Sequence, residues 1–294
     1  MTSNTRMIWI RDVTARDGLQ GERAVEVGER VGLVRSLFGA GLADVEIASF
    51  VSPKAVPSMA GATDVAAAIL PDLREGQTAW ALVPNGRGAE LATSAGVDHL
   101  TITVSASEAY SAKNVHMTVA ESLAGLDAIR AAAPDAVLDL VVSFAFGSTF
   151  DDEEITPDDV LKIAERAAAA GVDRTTLADT TGVATPRRVG AVLDTVGTDV
   201  GLHLHDTRAT ALLNAWTAIE RGVTRFDTAV GGLGGSPFAP AAGGNLATED
   251  LVHLLDDAGM ETGVDLAALL AIGPRLADLV GHGIPSRVAA ALGP

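Results

Sequence analysis

Two histidines stand two residues apart in the segment G-L-H-L-H-D, residues 201–206. A short apolar run over residues 198–204 leads into this segment and predicts a buried β-strand. Side chains at positions i and i+2 of a strand point to the same face, so His203 and His205 could hold one metal ion between them. An H-x-H pair is equally compatible with a polar strand face. A metal site therefore requires carboxylates or amides from other parts of the chain.

The composition limits both the chemistry and the partners. The chain has no cysteine, which excludes disulfides, thiolate metal sites and a cysteine nucleophile. A net charge of -17 argues against nucleic acid or an anionic membrane surface as a partner. The first apolar segment, residues 7–13, is too short to span a bilayer, and we expect a soluble cytoplasmic protein. The sequence does not specify an oligomeric state and is compatible with a homodimer.

Short β-rich runs alternate with Ala-, Leu- and Glu-rich segments of helical length along the whole chain. Several of these segments end in Ala-Gly or Arg-Gly, as expected where a left-handed glycine ends a helix. The predicted strands cover residues 7–13, 44–48, 77–83, 99–104, 136–143, 174–178, 200–204 and 225–229. The predicted helices lie near residues 26–40, 61–71, 86–95, 118–133, 157–170, 186–196, 207–221 and 247–259.

Strict alternation of strands and helices predicts an α/β protein with a parallel sheet and right-handed crossovers. Eight such units fit a closed (β/α)8 TIM barrel over residues 1–264, followed by a short helical C-terminal extension, residues 265–294, packed on the barrel. A doubly wound open sheet is the alternative. It is disfavoured because no G-x-G-x-x-G opens the first helix.

A barrel places its chemistry at the carboxyl ends of its strands and in the loops that follow. Polar residues stand at this end after several predicted strands, and one carboxylate lies inside an apolar strand. A glycine-rich loop, residues 231–244, follows the last strand, and we interpret it as a mobile cover over the same mouth. The polar residues are Arg16, Asp17, Glu46, Asp179, Thr180, His203, His205 and Asn245.

Five motifs carry a resemblance to a known family. They are R-D-G-L-Q at residues 16–20, S-F-V-S-P-K at 49–54, D-T-T-G at 179–182, H-L-H-D at 203–206, and G-L-G-G-S-P-F-A with G-G-N-L-A-T-E-D between 232 and 250. Together they resemble 3-hydroxy-3-methylglutaryl-CoA lyase, a branch of the metal-dependent barrel lyases and synthases. The similarity runs from about residue 8 to residue 264, and the second and last motifs point to the lyase branch.

The resemblance implies a divalent cation, Mg2+ or Mn2+, held by Asp17, His203, His205 and Asn245. These ligands suit an oxygen-rich octahedral site with positions left open for substrate and water. Zn2+ remains an alternative from the histidines alone.

The implied reaction breaks a carbon–carbon bond beside a tertiary alcohol in an acyl-CoA thioester. The cation would acidify the alcohol for a base, and Arg16 would stabilise the enolate that leaves. We assign Glu46 to orienting Arg16 or a metal-bound group, because a carboxylate on an apolar strand must be paired. Asp179 is either the base or a hydrogen-bond partner of a histidine, and the sequence does not separate these roles.

The resemblance also implies contacts with the substrate. Lys54, and Lys113 with Asn114, resemble positions that face the CoA arm, where the lysines would meet phosphates. Gln20 and Thr180 belong to the shared motifs and are assigned to substrate binding on the same basis.

Ser236 departs from the family pattern. Where the family has a loop cysteine acting in proton transfer to the enolate, this chain has serine, whose hydroxyl is a far weaker acid than a thiol. Ser236 either relays a proton from water at a reduced rate, marks a substrate that needs no thiol, or marks a protein that binds without turnover. Phe150 similarly stands where the family has tyrosine.

Four hypotheses follow from these observations. The first is a lyase for 3-hydroxy-3-methylglutaryl-CoA, and the second is a relative that cleaves another thioester such as citramalyl-CoA. A condensing synthase is disfavoured because the chain has no long regulatory C-terminal domain. A metal- or CoA-binding protein without catalysis is disfavoured by the retention of every expected ligand.

Overall fold

Eight parallel strands close into a single barrel in the chain order β1 to β8. The computed structural model describes residues 6–150, 153–235 and 243–293. The first and last strands pair in register, with Arg11 opposite Asp227, and this pairing closes the sheet. The strands are β1 Trp9–Asp12, β2 Asp44–Ser49, β3 Thr78–Leu82, β4 His99–Ser105, β5 Val137–Ser143, β6 Arg174–Ala178, β7 Gly201–His203 and β8 Arg225–Thr228.

Helices connect the strands and surround the barrel. Polar caps begin several of them: the Thr118 and Thr156 side chains each form a capping box with the residue three positions later. The helices are α1 Val27–Gly39, α2 Ala62–Ile69, α3 Gly86–Ser94, α4 Glu108–Asn114, α5 Val119–Ala132, α6 Pro157–Ala169, α7 Pro186–Val196, α8 Ala211–Arg221, α9 Thr248–Asp257, α10 Leu266–Leu270, α11 Gly273–Val280 and α12 Arg287–Leu292.

The two faces of the barrel sheet differ in chemistry. Alternate residues such as Ile10, Ile47 and Leu202 are buried in the apolar layer under the helices. The intervening positions point into the barrel and carry polar or charged groups, among them Arg11 and Asp227. Because strand side chains alternate between faces, each strand contributes to both layers. The main apolar core therefore lies between sheet and helices, while the barrel interior is available for polar contacts.

The predicted TIM barrel is confirmed, and the open doubly wound sheet is excluded. The prediction missed α4, which begins where the Ser107 hydroxyl accepts a hydrogen bond from the Tyr110 N–H. This helix has only 7 residues, too few to show a clear helical period. Strand β7 is shorter than predicted and ends at His203, so His205 lies beyond it.

The tail after α9 is helical, and α10 and α12 contact α9. The Asp250 carboxylate accepts hydrogen bonds from the Ser286 hydroxyl at 2.8 Å and the Val288 N–H at 2.9 Å.

A division of the chain at residues 264 and 265 stays a prediction, as do the homodimer and the cytoplasmic location. Within the described ranges, none of the helices combines the length and the apolar character needed to cross a membrane.

Candidate metal centre and active site

The segment that follows β1 presents two charged residues to the mouth of the barrel. Residues Thr14–Gly18 form a single π-helical turn, closed by a 3.0 Å hydrogen bond from the Gly18 N–H to the Val13 carbonyl. Such turns project side chains that a regular helix would direct elsewhere, and they are frequent at functional sites. The turn places the carboxylate of Asp17 and the guanidinium of Arg16 side by side, 2.7 Å apart.

The two histidines face the same point as Asp17. The Nε2 atoms of His203 and His205 lie 3.2 Å apart, and both side chains are buried. The potential ligand atoms of Asp17, His203 and His205 all lie within 4.8 Å of one another. His205 reaches this position from outside β7, where its backbone forms an isolated bridge with Asn245. Three donors of this kind converging from separate elements form a candidate cation site.

Each histidine is oriented through its Nδ1 atom. His203 Nδ1 lies 3.2 Å from the Asp227 carboxylate, and His205 Nδ1 lies 2.7 Å from the Gly243 carbonyl oxygen. Both partners are acceptors, so the neutral rings carry their protons on Nδ1 and leave Nε2 free to bind a cation. Burial, and then the neighbouring His203, lower the pKa of His205 to about 4, which favours the neutral ring.

Asn245 lies beside Asp17 and carries a further buried oxygen. Its amide nitrogen donates to Asp17 Oδ2 at 2.7 Å and to the Leu233 carbonyl at 2.8 Å. Its side-chain oxygen is buried and has no hydrogen-bond partner within the described residues. A buried acceptor without a partner costs free energy unless a ligand completes it. The donor set and this unpaired oxygen therefore fit a divalent cation.

Gly234 allows the loop after β8 to pass close to these ligands. Its φ of +108° is in the region that favours glycine, and a Cβ atom there would clash with the Asn245 amide nitrogen and lie 2.8 Å from Asp17 Oδ2. This glycine is needed for a close approach of the backbone.

Arg16 lies between two carboxylates. Its Nε contacts the buried Glu46 carboxylate, and its Nη1 contacts Asp17. Burial by itself would raise the pKa of Asp17, but the Arg16 guanidinium outweighs it and, with the hydrogen bond from Asn245, holds that pKa well below its usual range. The expected pairing of Glu46 with Arg16 is thus observed, and one Glu46 oxygen, Oε1, is buried without a partner among the described residues.

Asp179 lies at the same end of the barrel, directly after β6. Its Oδ1 accepts hydrogen bonds from the Val183 and Ala184 N–H groups at 2.8 and 3.0 Å, whereas its buried Oδ2 is unpaired in the described part of the chain. Burial raises the pKa of Asp179 to about 6. Asp179 does not meet the Nδ1 atom of either histidine, because Asp227 and the Gly243 carbonyl lie there instead.

The predicted substrate contacts are spread around the mouth. Lys54 is exposed in the loop after β2, and Lys113 and Asn114 end α4. The Gln20 carbonyl accepts a 2.7 Å hydrogen bond from Ser58. The Thr180 hydroxyl accepts one of 2.9 Å from the Phe144 N–H. Within the described residues, no hydrogen bond or ion pair joins these five side chains to Asp17, His203 or His205.

Phe150 belongs to an aromatic group beside the mouth. Its ring centroid lies 5.8 Å from that of Phe144, which in turn lies 4.7 Å from that of Tyr110. The Lys113 ammonium lies 6.0 Å from the Phe150 ring centroid. Ser236 and most of the glycine-rich loop after Gly235 lie outside the described residues, and so does the predicted cover.

Sequence reasoning missed the groups that support the ligands. Asp227 stands in a buried strand, R-F-D-T, and the argument that identified Glu46 applies to it equally. Arg11 lies in the interior of β1 and carries the matching charge. The roles of the Gly243 carbonyl and of the close approach at Gly234 belong to the backbone, so the sequence gives no sign of them beyond the glycines themselves.

Comparison with known proteins agrees with this geometry. The HMGL-like family model matches residues 7–275. The (R)-citramalyl-CoA lyase of Chloroflexus aurantiacus is 41% identical over 96% of this chain and 93% of its own length. The hydroxymethylglutaryl-CoA lyase of Pseudomonas mevalonii is 38% identical over 96% of this chain and 95% of its own.

Solved structures give the same answer. The HMG-CoA lyase from Acinetobacter baumannii, in complex with coenzyme A and 3-methylmalate, superposes with a TM-score of 0.92 at 36% identity, covering 99% of this chain and 97% of that one. The hydroxymethylglutaryl-CoA lyase from Pseudomonas aeruginosa gives 0.91 at 36% identity and 98% coverage of both chains. The chain therefore belongs to the HMGL-like family of carbon–carbon lyases.

Proposed function

We propose that this protein is a divalent-metal-dependent lyase that cleaves 3-hydroxy-3-methylglutaryl-CoA to acetyl-CoA and acetoacetate. The observation that carries the proposal is the convergence of Asp17, His203 and His205 within 4.8 Å beside the Arg16 guanidinium. A protein that only binds its ligand would not need a fixed guanidinium group next to a cluster of metal ligands. A lyase needs both, because negative charge develops on the substrate at two separate oxygens.

Asp17, His203, His205 and Asn245 would hold the cation, which we infer to be Mg2+ or Mn2+. The oxygen donors of Asp17 and Asn245 are the ligands that these ions prefer, and two neutral imidazoles are compatible with Mn2+ in particular. When bound, the cation supplies positive charge that lowers the pKa of the substrate's 3-hydroxyl group.

Asp179 is the group that we assign to removing the hydroxyl proton. Its buried Oδ2 has no partner within the described residues, and its pKa of about 6 is close to the range in which a base works at neutral pH. Its other oxygen is fixed by two backbone N–H groups, which hold the carboxylate in one orientation.

Arg16 is the group that we assign to the departing enolate. When the C2–C3 bond breaks, C3 becomes a ketone and the electron pair passes into the thioester enolate of acetyl-CoA. Arg16 is held by Glu46 and Asp17 through Nε and Nη1, and its Nη2 has no hydrogen-bond partner in the described ranges, so it can donate to the enolate oxygen. The proton lost from the hydroxyl is balanced by a proton gained at C2, and we assign its delivery to Ser236, which stands where the family has its loop cysteine.

The CoA arm is proposed to lie across the mouth between Lys54 and the end of α4. The Lys54 and Lys113 side chains are exposed, and their ammonium groups would pair with phosphates. Asn114, Gln20 and Thr180 are proposed to line the same path. A net charge of -17 makes local positive groups necessary for an anionic substrate.

Cleavage of citramalyl-CoA to acetyl-CoA and pyruvate is the second candidate. Two observations favour it: the relative named (R)-citramalyl-CoA lyase is 41% identical to this chain, and Ser236 and Phe150 both lack groups that the lyase pattern has on the substrate side. The metal ligands would be the same in both reactions.

A product assay by mass spectrometry tests both candidates. The purified protein is incubated with Mn2+ or Mg2+ and, separately, with 3-hydroxy-3-methylglutaryl-CoA and each enantiomer of citramalyl-CoA. The same panel is run with Ser236→Cys and with His205→Asn, which keeps a polar side chain but removes an imidazole ligand.

We expect acetoacetate from the unmodified protein and none from His205→Asn. Pyruvate from one citramalyl-CoA enantiomer, without acetoacetate, would replace the first candidate by the second. If only Ser236→Cys releases acetoacetate, the serine has either changed the substrate preference or lowered the rate of cleavage. Absence of acetoacetate, pyruvate and acetyl-CoA from both the unmodified protein and Ser236→Cys would contradict a lyase for either thioester.

A further inference from the structure

A second buried arginine lies deeper in the barrel, below the metal cluster. Arg11 donates from Nε and Nη2 to the two oxygens of Asp227, at 2.8 and 2.9 Å. Its Nη1 donates to Asp139 at 2.8 Å. All three residues are buried and lie on three different strands, β1, β8 and β5. Bidentate pairing of this kind fixes the plane of the Asp227 carboxylate as well as its position.

The Arg11 guanidinium is itself fixed from several sides. Its plane lies over the Trp80 ring, 4.8 Å from the centroid, and the Trp80 Nε1–H donates to Asp44 at 2.7 Å. The Thr176 hydroxyl donates to Asp139 at 3.0 Å. Asp139 and Trp80 hold the Arg11 guanidinium independently of Asp227, so the arginine can fix the orientation of that carboxylate.

Asp227 transmits this geometry to a metal ligand. Its Oδ2 accepts from Arg11 and also lies 3.2 Å from His203 Nδ1. The ring of His203 can turn about its side-chain torsions, and the contact with Asp227 is what directs Nε2 towards Asp17 and His205. A carboxylate behind a ligating histidine typically changes metal affinity about 10- to 100-fold.

We propose that Arg11 is a positioning residue for the metal centre: through Asp227 it holds His203 in the orientation that binds the cation, so that metal affinity is set from inside the barrel. The proposal rests on the proposed function, because it requires that the cluster binds a metal. In the described part of the chain, Arg11 forms no hydrogen bond or ion pair with any of the proposed ligands.

Three variants separate positioning from general support. Arg11→Met combined with Asp139→Asn removes one positive and one negative charge, so the net charge of the buried cluster is unchanged and the fold is not burdened with two unpaired carboxylates. Asp139→Asn alone keeps the Arg11–Asp227 pair. Arg174→Met removes the guanidinium that lies 5.4 Å from the centroid of the Trp80 ring, without touching Asp227.

Mn2+ binding is measured by the electron paramagnetic resonance signal of the free ion, without substrate. We expect the double variant to bind Mn2+ about 10-fold or more weakly than the unmodified protein, and both single variants to bind within about 3-fold. In the metal-free protein, 15N NMR should find His203 protonated on Nδ1, and should find a tautomer mixture in the double variant.

The outcomes distinguish the two proposals. If the unmodified protein does not bind Mn2+, the proposed metal centre fails. If it binds and the double variant binds equally well with the same His203 tautomer, the role of Arg11 is wrong. An equal loss in Asp139→Asn and in the double variant would show a general structural effect and would also overturn the proposal. Should the double variant not fold, Arg11→Lys, which keeps the charge but loses the bidentate contact, must show the tautomer mixture.

Discussion

The barrel interior holds two arginine–carboxylate groups that resemble each other in composition and differ in how completely they are paired. At the carboxyl end, Arg16 lies between Asp17 and Glu46, and deeper inside, Arg11 lies between Asp139 and Asp227. Buried oxygens without partners occur around the first group, on Glu46 and Asn245. The side chains of the second group have none within the described residues.

The difference in hydrogen-bond pairing distinguishes a group that can bind a ligand from a group that supports it. A buried acceptor without a donor costs roughly 1–3 kcal/mol, so a cluster of them is stable only if a ligand or water completes it. The open acceptors mark the end of the barrel where a cation and substrate would bind. Among the described residues, every buried polar side-chain atom in the cluster of Arg11, Asp139 and Asp227 is already hydrogen-bonded, so the cluster has no free group for a ligand. Its contribution is to hold its members in place.

The largest difference in kcat is expected between a variant that loses a guanidinium at the carboxyl end of the barrel and one that loses a guanidinium at the amino-terminal end. Arg16→Lys keeps the positive charge but cannot contact Glu46, Asp17 and a substrate oxygen together. We expect kcat to fall by about 10²- to 10³-fold, because one preorganised donor to the developing enolate is lost. Steady-state kinetics with the thioester identified by the product assay measures the effect.

The matched control is Arg174→Lys, at the amino-terminal end of β6, which should keep kcat within about 2-fold because surface substitutions rarely perturb function. An equal loss of kcat in Arg16→Lys and Arg174→Lys would show that the difference between the two ends of the barrel does not affect catalysis.

A smaller effect concerns Glu249, which lies behind the segment that carries Gly234. Its two oxygens share the Gly231 N–H, at 3.0 and 3.1 Å, and burial raises its pKa to about 7 from an ordinary value of 4.5. The folded state thus binds this proton more tightly than the unfolded chain. The stabilisation is complete below pH 4.5 and is lost as the pH rises towards 7.

Glu249→Gln removes this dependence. Between pH 5 and pH 8 we expect the free energy of unfolding of the unmodified protein to fall relative to that of the variant by roughly 2 kcal/mol. Denaturant titrations of both proteins at the two pH values measure the difference. Parallel pH profiles would show that Glu249 is ionised in both states.

The fold and the centre of the site could be predicted from sequence because their signals are local. Alternating strand and helix segments specify a parallel barrel, and the H-x-H spacing places two imidazoles together even though β7 ends at His203. Glu46 was identified because a carboxylate in an apolar strand demands a partner, and Arg16 is that partner.

The supporting contacts depend on register and could not be read in the same way. Asp227 meets Arg11 because β8 pairs with β1 when the barrel closes, and the two residues are 216 positions apart in sequence. The π-helical turn that presents Asp17 has no distinct composition. The choice of Asp227 rather than Asp179 as the partner of His203 follows from which strand neighbours β7 on each side and from the direction of each side chain.

The metal centre is tested most directly by electron spin echo envelope modulation of the Mn2+-loaded protein prepared with 15N-labelled histidine. We predict coupling from two imidazole nitrogens in the unmodified protein and from one in His205→Asn. Binding of Mn2+ without any histidine coupling would place the ion elsewhere and would contradict the account of the carboxyl end as the site of chemistry.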